Sequence, residues 1–218
     1  MRCYCGGRGS SSGGGRFGKG GGKKVDVLST TSMVSARQTK TAEVDQALTV
    51  ARDIQNQYGI NVEDLQIAKL GGKDQYGVMA YYDANGNLAY NEKLFNAQAM
   101  NKTYDTDVQA GFHPSRGNKT GIEAVVSHEM GHALTDEIGK KMGLGSWQLD
   151  EVSDRVLKQA SKNAGYKSAY KLASKVSGYA TDSKAEALAE AFADVYCNGR
   201  KASKESQAIV NVMNSYFK

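Results

Sequence analysis

Two histidines four residues apart, with a glutamate directly after the first, are the residues of this sequence best suited to do chemistry. They lie in the segment His128-Glu129-Met130-Gly131-His132. On a helix this spacing places both imidazoles on one face, one turn apart, where they can occupy adjacent corners of a zinc tetrahedron. Glu129 is rotated away from that face, so its carboxylate lies beside the open metal position. The pattern predicts zinc ligands at His128 and His132, with Glu129 as general base.

The element that must position these side chains is a helix whose start is well marked. Thr120 and Glu123 have the spacing of a capping box, which satisfies the first free backbone amides. Gly131, between the two histidines, lets another segment approach closely, although glycine costs about 1 kcal/mol relative to alanine inside a helix. The stripe expected to be buried comprises Ile122, Val125, Val126, Ala133, Leu134 and Ile138.

A catalytic zinc usually has three protein ligands and keeps a fourth position for water, so a third ligand has to be found. The remaining histidine, His113, precedes the helix and lacks metzincin spacing. We interpret it as a loop residue, with a substrate-side role as the alternative. Residues 179–194 are a better source, because Glu186, Glu190 and Asp194 share one face of a second, alanine-rich helix.

Two motif blocks resemble the catalytic domain of anthrax lethal factor and its relatives. The first is Ser127-His128-Glu129-Met130-Gly131-His132-Ala133, and the second has Tyr179, then Glu186, then Ala189-Glu190-Ala191-Phe192. The resemblance covers roughly residues 120–197 and implies a gluzincin-like zincin metallopeptidase. It implies that Glu186 is the third zinc ligand, Glu190 a carboxylate supporting the ligands, and Tyr179 a hydroxyl donor to the transition state. Residues 111–134 are also similar to peptidase-like proteins carried by phages and prophages.

Each residue of the second block has an alternative role. Ser183 and Glu186 have capping-box spacing, so Glu186 could close the start of its helix instead of binding metal. Glu190 could itself bind zinc, or could accept a hydrogen bond from the free ring nitrogen of a ligand histidine and fix its tautomer. Tyr179 could pack at a surface.

The rest of the chain indicates an α+β domain with a small β-sheet followed by a helical region. Apolar spacing after Thr41 predicts a helix that ends at Gly59. Three strands are expected at 65–70, 76–82 and 88–91, with Asn85-Gly86 as a hairpin turn. The strand pair near 76–91 is expected to offer an edge to an extended peptide, by the zincin resemblance. Helices are predicted near 121–138, 147–162, 166–176, 183–197 and 203–217.

The net charge of +5 is concentrated at the start of the chain. Residues 1–24 contain six Lys and Arg, no acidic residue and ten glycines, so the remainder is nearly neutral. We interpret 1–24 as a disordered, glycine-rich basic arm and 25–218 as one metallopeptidase domain. The arm could bind a nucleic-acid backbone or act as a solubilising leader.

Cysteine content and hydropathy bear on the compartment. The three cysteines, Cys3, Cys5 and Cys197, do not make a disulfide framework, and Cys197 is expected to be a small buried apolar group. No stretch of about 18 apolar residues and no secretory signal stand out, so a cytoplasmic or virion-associated location without a membrane partner is expected.

Together these patterns predict a zinc-dependent peptidase acting on a peptide or protein substrate. Zinc would lower the pKa of water toward about 7, and Glu129 would accept its proton during attack on a peptide carbonyl. Two alternatives remain from other classes. The chain could be a structural or assembly component, for example of a phage particle, that retains the zincin fold, or a nucleic-acid-associating protein acting through its arm.

Overall fold

A small mixed sheet and a larger helical layer make up an α+β fold. A computed structural model describes residues 2–6, 33–35, 41–61, 64–68, 78–83, 87–145 and 148–218. The strands of the described part are β1 Arg2–Gly6, β2 Met33–Ser35, β3 Asp64–Ala68, β4 Val78–Asp83 and β5 Asn87–Asn91. Its α-helices are α1 Ala42–Tyr58, α2 Ala97–Gln109, α3 Gly121–Lys141, α4 Leu149–Asn163, α5 Ala169–Ala173, α6 Lys184–Asn198 and α7 Lys204–Asn214.

The sheet has the order β1-β4-β5-β3-β2. β4 and β5 are antiparallel, which confirms the predicted pairing of these two segments, while the Asn85-Gly86 turn lies outside the described residues. β3 runs parallel to β5, a relationship that requires the intervening chain to cross over. Met79, Leu88 and Tyr90 are buried on the helical core.

The outer neighbour of β4 is β1, which pairs with it in antiparallel register from Arg2 opposite Asp83 to Gly6 opposite Val78. The expectation that the pair near 76–91 offers a free edge is therefore wrong, because β4 is flanked by β1 and β5, and β5 by β4 and β3. β1 also occupies five positions of the predicted arm. Residues 7–24 lie outside the described residues, so disorder there stays a prediction.

Local sequence signals set the helix ends. Thr41 caps α1 through the amide of Val44, and Gly59 ends it in the left-handed region at φ 64°. The capping box predicted for α3 is formed: Thr120 Oγ1 accepts from the Glu123 amide, and the Glu123 carboxylate accepts from the Thr120 amide. These caps fix where each helix begins, and for α3 that sets which residues face the core.

α3 lies at the centre of the helical layer, and nearly all of its length is buried. It packs against α6 most extensively and also contacts α1, α2, α4 and β4. The predicted stripe is buried, and so are both histidines and Glu129. A helix buried all round can hold polar groups only where they have partners, so the neighbours of its histidines are informative.

Among the described residues, no helix is both long and apolar enough to cross a membrane.

Candidate metal centre

The close crossing of α3 and α6 brings the two motif blocks together. A Cβ atom on Gly131 would lie 2.8 Å from the Ala189 Cα and 3.2 Å from the Phe192 Cβ, so the two backbones approach where glycine is needed. This confirms that Gly131 admits a second segment. Because His128 and His132 flank Gly131, and Glu186 and Glu190 flank Ala189, the crossing places the two histidines opposite the two carboxylates.

Three ligand-type atoms converge at this crossing. Glu186 Oε2 lies 3.0 Å from His128 Nε2 and 3.3 Å from His132 Nε2, and the two Nε2 atoms are 3.2 Å apart. Among the described His, Cys, Asp and Glu side chains, these three form the group whose ligand atoms all lie within 4.8 Å of one another. All three residues are buried.

The triangle of atoms has the size of one face of a zinc tetrahedron. Zinc–ligand distances of about 2.0–2.1 Å correspond to ligand–ligand separations of about 3.3–3.4 Å in a regular tetrahedron. The separations of 3.0, 3.2 and 3.3 Å lie close to that range. Two imidazole nitrogens and one carboxylate oxygen are also the donor set of many catalytic zinc sites, so the residues present fit the ion.

The Glu186 side chain takes part in this triangle rather than in a helix cap. Ser183 Oγ accepts a hydrogen bond from the Glu186 amide, so the backbone half of the predicted capping box is formed. The carboxylate, however, lies against His128 and His132 instead of turning back to Ser183. Ser183 thus starts α6 at the point that presents Glu186 to the histidines.

Glu190, one turn further along α6, contacts the opposite nitrogen of His128. Its Oε1 accepts from His128 Nδ1 at 2.8 Å and from His113 Nδ1 at 3.0 Å, while its Oε2 accepts from Ser177 Oγ at 2.7 Å. With its proton on Nδ1, the neutral form of His128 would have its Nε2 lone pair facing the other two ligand atoms. This is the supporting arrangement typical of metal-binding histidines.

The buried histidines and carboxylates shift one another's pKa values. Burial alone would lower the pKa of His128, but its hydrogen bonds to Glu186 and Glu190 outweigh that effect and raise the pKa well above its ordinary value. Burial would raise the pKa of Glu186, yet the charge of His132 and the hydrogen bond from His128 lower it to about 2. The pKa of Glu190 is likewise lowered against its burial, first by the charge of His113. Both carboxylates are therefore anionic at neutral pH.

Glu129 and Tyr179 are both buried neighbours of His128, Glu129 along the chain and Tyr179 in space. Glu129 is completely buried on α3, next to His128. Tyr179, in a short 3-10 helix at Tyr179–Thr181, is buried rather than packed at a surface, and its ring stacks on the His128 ring at 5.9 Å between centroids. Tyr179 is thus beside His128, and its role as a hydroxyl donor stays a prediction.

Asp194 does not join the carboxylates that meet the histidines. Its Oδ1 accepts from the Asn198 side chain, and its Oδ2 accepts from the backbone amide of Ser203. It therefore holds the connection between α6 and α7, and only two of the three acidic residues on this helix face serve the centre.

His113 and Ser177 are the two residues at the centre that sequence reasoning missed. His113 does lie in a loop, but its side chain is buried and hydrogen-bonded to Glu190. Ser177 also accepts a hydrogen bond from the Ala180 amide, which closes the turn that contains Tyr179. One sequence feature could have indicated His113: the chain has three histidines, and the other two are the predicted ligands.

Comparison of the chain with protein-family models, with curated proteins and with solved structures finds no match.

Proposed function

We propose that this protein is a zinc-dependent peptidase with a zincin-like fold that hydrolyses peptide bonds. The observation that supports this most is the convergence of His128 Nε2, His132 Nε2 and Glu186 Oε2 within 3.3 Å of one another. Glu129 is buried directly after His128, the first proposed ligand. A site that only binds metal needs no general base, so this glutamate favours a hydrolytic site.

The zinc would be held by His128, His132 and Glu186. When bound, zinc supplies Lewis-acid chemistry, making water more acidic and polarising the substrate carbonyl. Glu129 accepts the proton of the attacking water and later returns it to the departing amine. Glu190 keeps the proton of His128 on Nδ1, and Tyr179 donates a hydrogen bond to the carbonyl oxygen as negative charge develops there.

The direct test measures metal and hydrolysis separately. Purified protein should contain one zinc per chain and should cleave members of a peptide library, and a chelator should stop cleavage. Glu129→Gln should keep the zinc and lose hydrolysis, because the amide cannot accept a proton. Glu137→Gln, the same change on the same helix where Glu137 pairs with Lys140, is the matched control and should retain both.

Two other outcomes would change the assignment. A protein that binds zinc but cleaves nothing in the library would favour the structural or assembly role. A protein that binds no zinc would remove the metallopeptidase proposal. The nucleic-acid alternative depends on residues 1–24, of which the structure describes only Arg2–Gly6.

A further inference from the structure

His113 is enclosed by aromatic rings at the metal centre. Its ring stacks on Tyr104 at 5.1 Å between centroids with an interplanar angle of 10°, and meets the rings of Phe112 and Tyr179 edge-on. Its side chain is completely buried. Such an environment fixes the ring plane, and with it the direction of Nδ1.

The loop carrying His113 is tied to the segment before α6. The Gly178 amide donates to the Gly111 carbonyl at 2.8 Å, and the Tyr179 amide donates to the Phe112 carbonyl at 2.9 Å. A Cβ on Gly178 would lie 2.9 Å from the Gly111 oxygen, so this pairing needs a glycine at 178. His113 is thus held in register with Tyr179 by two backbone hydrogen bonds.

The Nδ1 atom of His113 is directed at Glu190 and not at the three ligand atoms. Glu190 Oε1 accepts from both His113 and His128, so the two imidazoles share one carboxylate oxygen. With Ser177 on the other oxygen, the carboxylate is fixed by donors from three separate parts of the chain. Removal of the His113 donor would leave the carboxylate held by two donors, His128 and Ser177, and would widen the range of angles open to its terminal bond.

We propose that His113 is a positioning residue that acts through Glu190 to hold the His128 ring and its Nδ1 proton in the geometry needed for zinc binding. The Nδ1 atom of His113 is hydrogen-bonded to Glu190, and not to Glu186 or His132. This inference rests on the proposed zinc site, and it gives a role to His113, which the sequence pattern indicated only as a loop residue. Loss of a group that orients a ligand in this way typically weakens metal affinity about 10- to 100-fold.

The test separates the hydrogen bond of His113 from its packing. His113→Phe keeps a ring on Tyr104 but has no donor, whereas His113→Asn places an amide N–H near the Nδ1 position but has no ring. Zinc affinity of the full chain is measured by competition with a chromophoric chelator, and Co²⁺ absorption reports the ligand geometry. We expect the Phe variant to lose about 10- to 100-fold in zinc affinity and to alter the Co²⁺ spectrum. The Asn variant should remain close to wild type in both.

A double-mutant cycle tests whether His113 acts through Glu190. In a Glu190→Ala background, which has no side-chain acceptor, His113→Phe should cause little further loss of zinc affinity, because residues in one network are not additive. Full additivity, or equal zinc affinity of the Phe and wild-type proteins, would overturn the proposal and leave His113 with a packing role alone. Wild-type protein that binds no zinc would instead refute the proposed function itself.

A second pair of variants covers the case in which the Phe variant does not fold. The Gln side chain of His113→Gln reaches toward the Nε2 position, whereas Asn matches Nδ1. We expect His113→Asn to bind zinc more tightly than His113→Gln, with similar unfolding temperatures for the metal-free proteins. Equal affinities in this pair would contradict a role for the Nδ1 hydrogen bond.

Discussion

Gly131 of α3 lies against Ala189 of α6 so closely that a methyl group on Gly131 would come within 2.8 Å of the Ala189 Cα. The atom in the way belongs to the backbone, which cannot move aside as the end of a flexible side chain can. Because Gly131 lies between the two histidines, this contact determines how near they come to Glu186 and Glu190. The closeness of the two helices is therefore a condition for the proposed metal centre.

Gly131→Ala is expected to destabilise the protein and weaken zinc binding. Overpacking typically costs about 1–3 kcal/mol, and the better helix propensity of alanine returns about 1 kcal/mol. Gly139→Ala on the same helix is the matched control, since among the described residues its Cβ would meet only the Val152 side chain, at 3.2 Å. Urea unfolding should show a larger loss of unfolding free energy for Gly131→Ala than for Gly139→Ala. The reverse order would show that α6 can shift without cost.

Zinc should stabilise the folded protein, and Glu186 should be needed for that effect. A ligand at about 100 times its dissociation constant adds about 2.7 kcal/mol to the free energy of unfolding. Glu186→Gln keeps the side-chain size but removes the anionic ligand, so we expect most of the zinc-induced rise in unfolding temperature to disappear. Glu137→Gln should show the wild-type rise. The same rise in both variants would exclude Glu186 as a ligand.

Zinc affinity should fall as pH is lowered. Burial opposes protonation of His128, but Glu186 and Glu190 raise its pKa well above the ordinary value, so the metal-free centre binds a proton that zinc must displace. In the metal-free protein, the raised pKa means that protonation of His128 stabilises the folded state. The stabilisation is complete below the unfolded pKa of about 6.5 and is lost as pH rises through the folded value.

Titration calorimetry in buffers of different ionisation enthalpy measures this proton release directly. We expect zinc binding to release protons at neutral pH. The number released should fall as the pH rises through the pKa of His128 in the folded protein. Zinc binding without proton release at any pH between about 6 and 8 would contradict a protonated His128 in the metal-free protein.

Cys197 should react slowly with alkylating reagents while the protein is folded. The side chain is half-buried, less than the full burial expected, and this burial raises the pKa of its thiol to about 12, only partly opposed by the nearby hydroxyl of Ser127. The thiolate is the reactive form, so at pH 8 the folded protein presents very little of it. Mass spectrometry of iodoacetamide-treated protein should show much slower labelling at Cys197 in folded than in urea-unfolded protein. Equal rates would place this thiol in an open environment.

The sequence predicts the elements whose signals are local. α1, α3, α4, α6 and α7 were all expected from apolar spacing and caps, and the observed bounds differ from the expected ones by a few residues at most. α5 is shorter than expected, at Ala169–Ala173, because Ser168 caps it late and the chain turns after Ser174.

α2 was missed because its helical signal is weak. Its apolar face consists of little more than Met100, Tyr104 and Val108, and two threonines interrupt it. Asn96 was the available sign, since its side chain caps the helix through the amides of Gln98 and Ala99. The parallel pairing of β3 with β5 was also beyond local reasoning, because it depends on a crossover rather than on a turn.

In the candidate centre, too, the residues related by local spacing could be predicted and those related by tertiary contacts could not. His128 and His132 can be paired from their spacing alone, because one helix turn fixes their relative position. The choice of Glu186 among the carboxylates of α6 came from the family resemblance, and the structure then brings that carboxylate to the histidines. The contacts of His113 and Ser177 with Glu190 span 77 and 13 positions and depend on how loops fold over α6.

The 58 positions between His128 and Glu186 also have a consequence for biosynthesis. Both histidines leave the ribosome well before the carboxylate, so a nascent chain carries only part of the centre until α6 has emerged and docked on α3. The proposed zinc site can therefore be completed only late in maturation, once the helical layer has assembled.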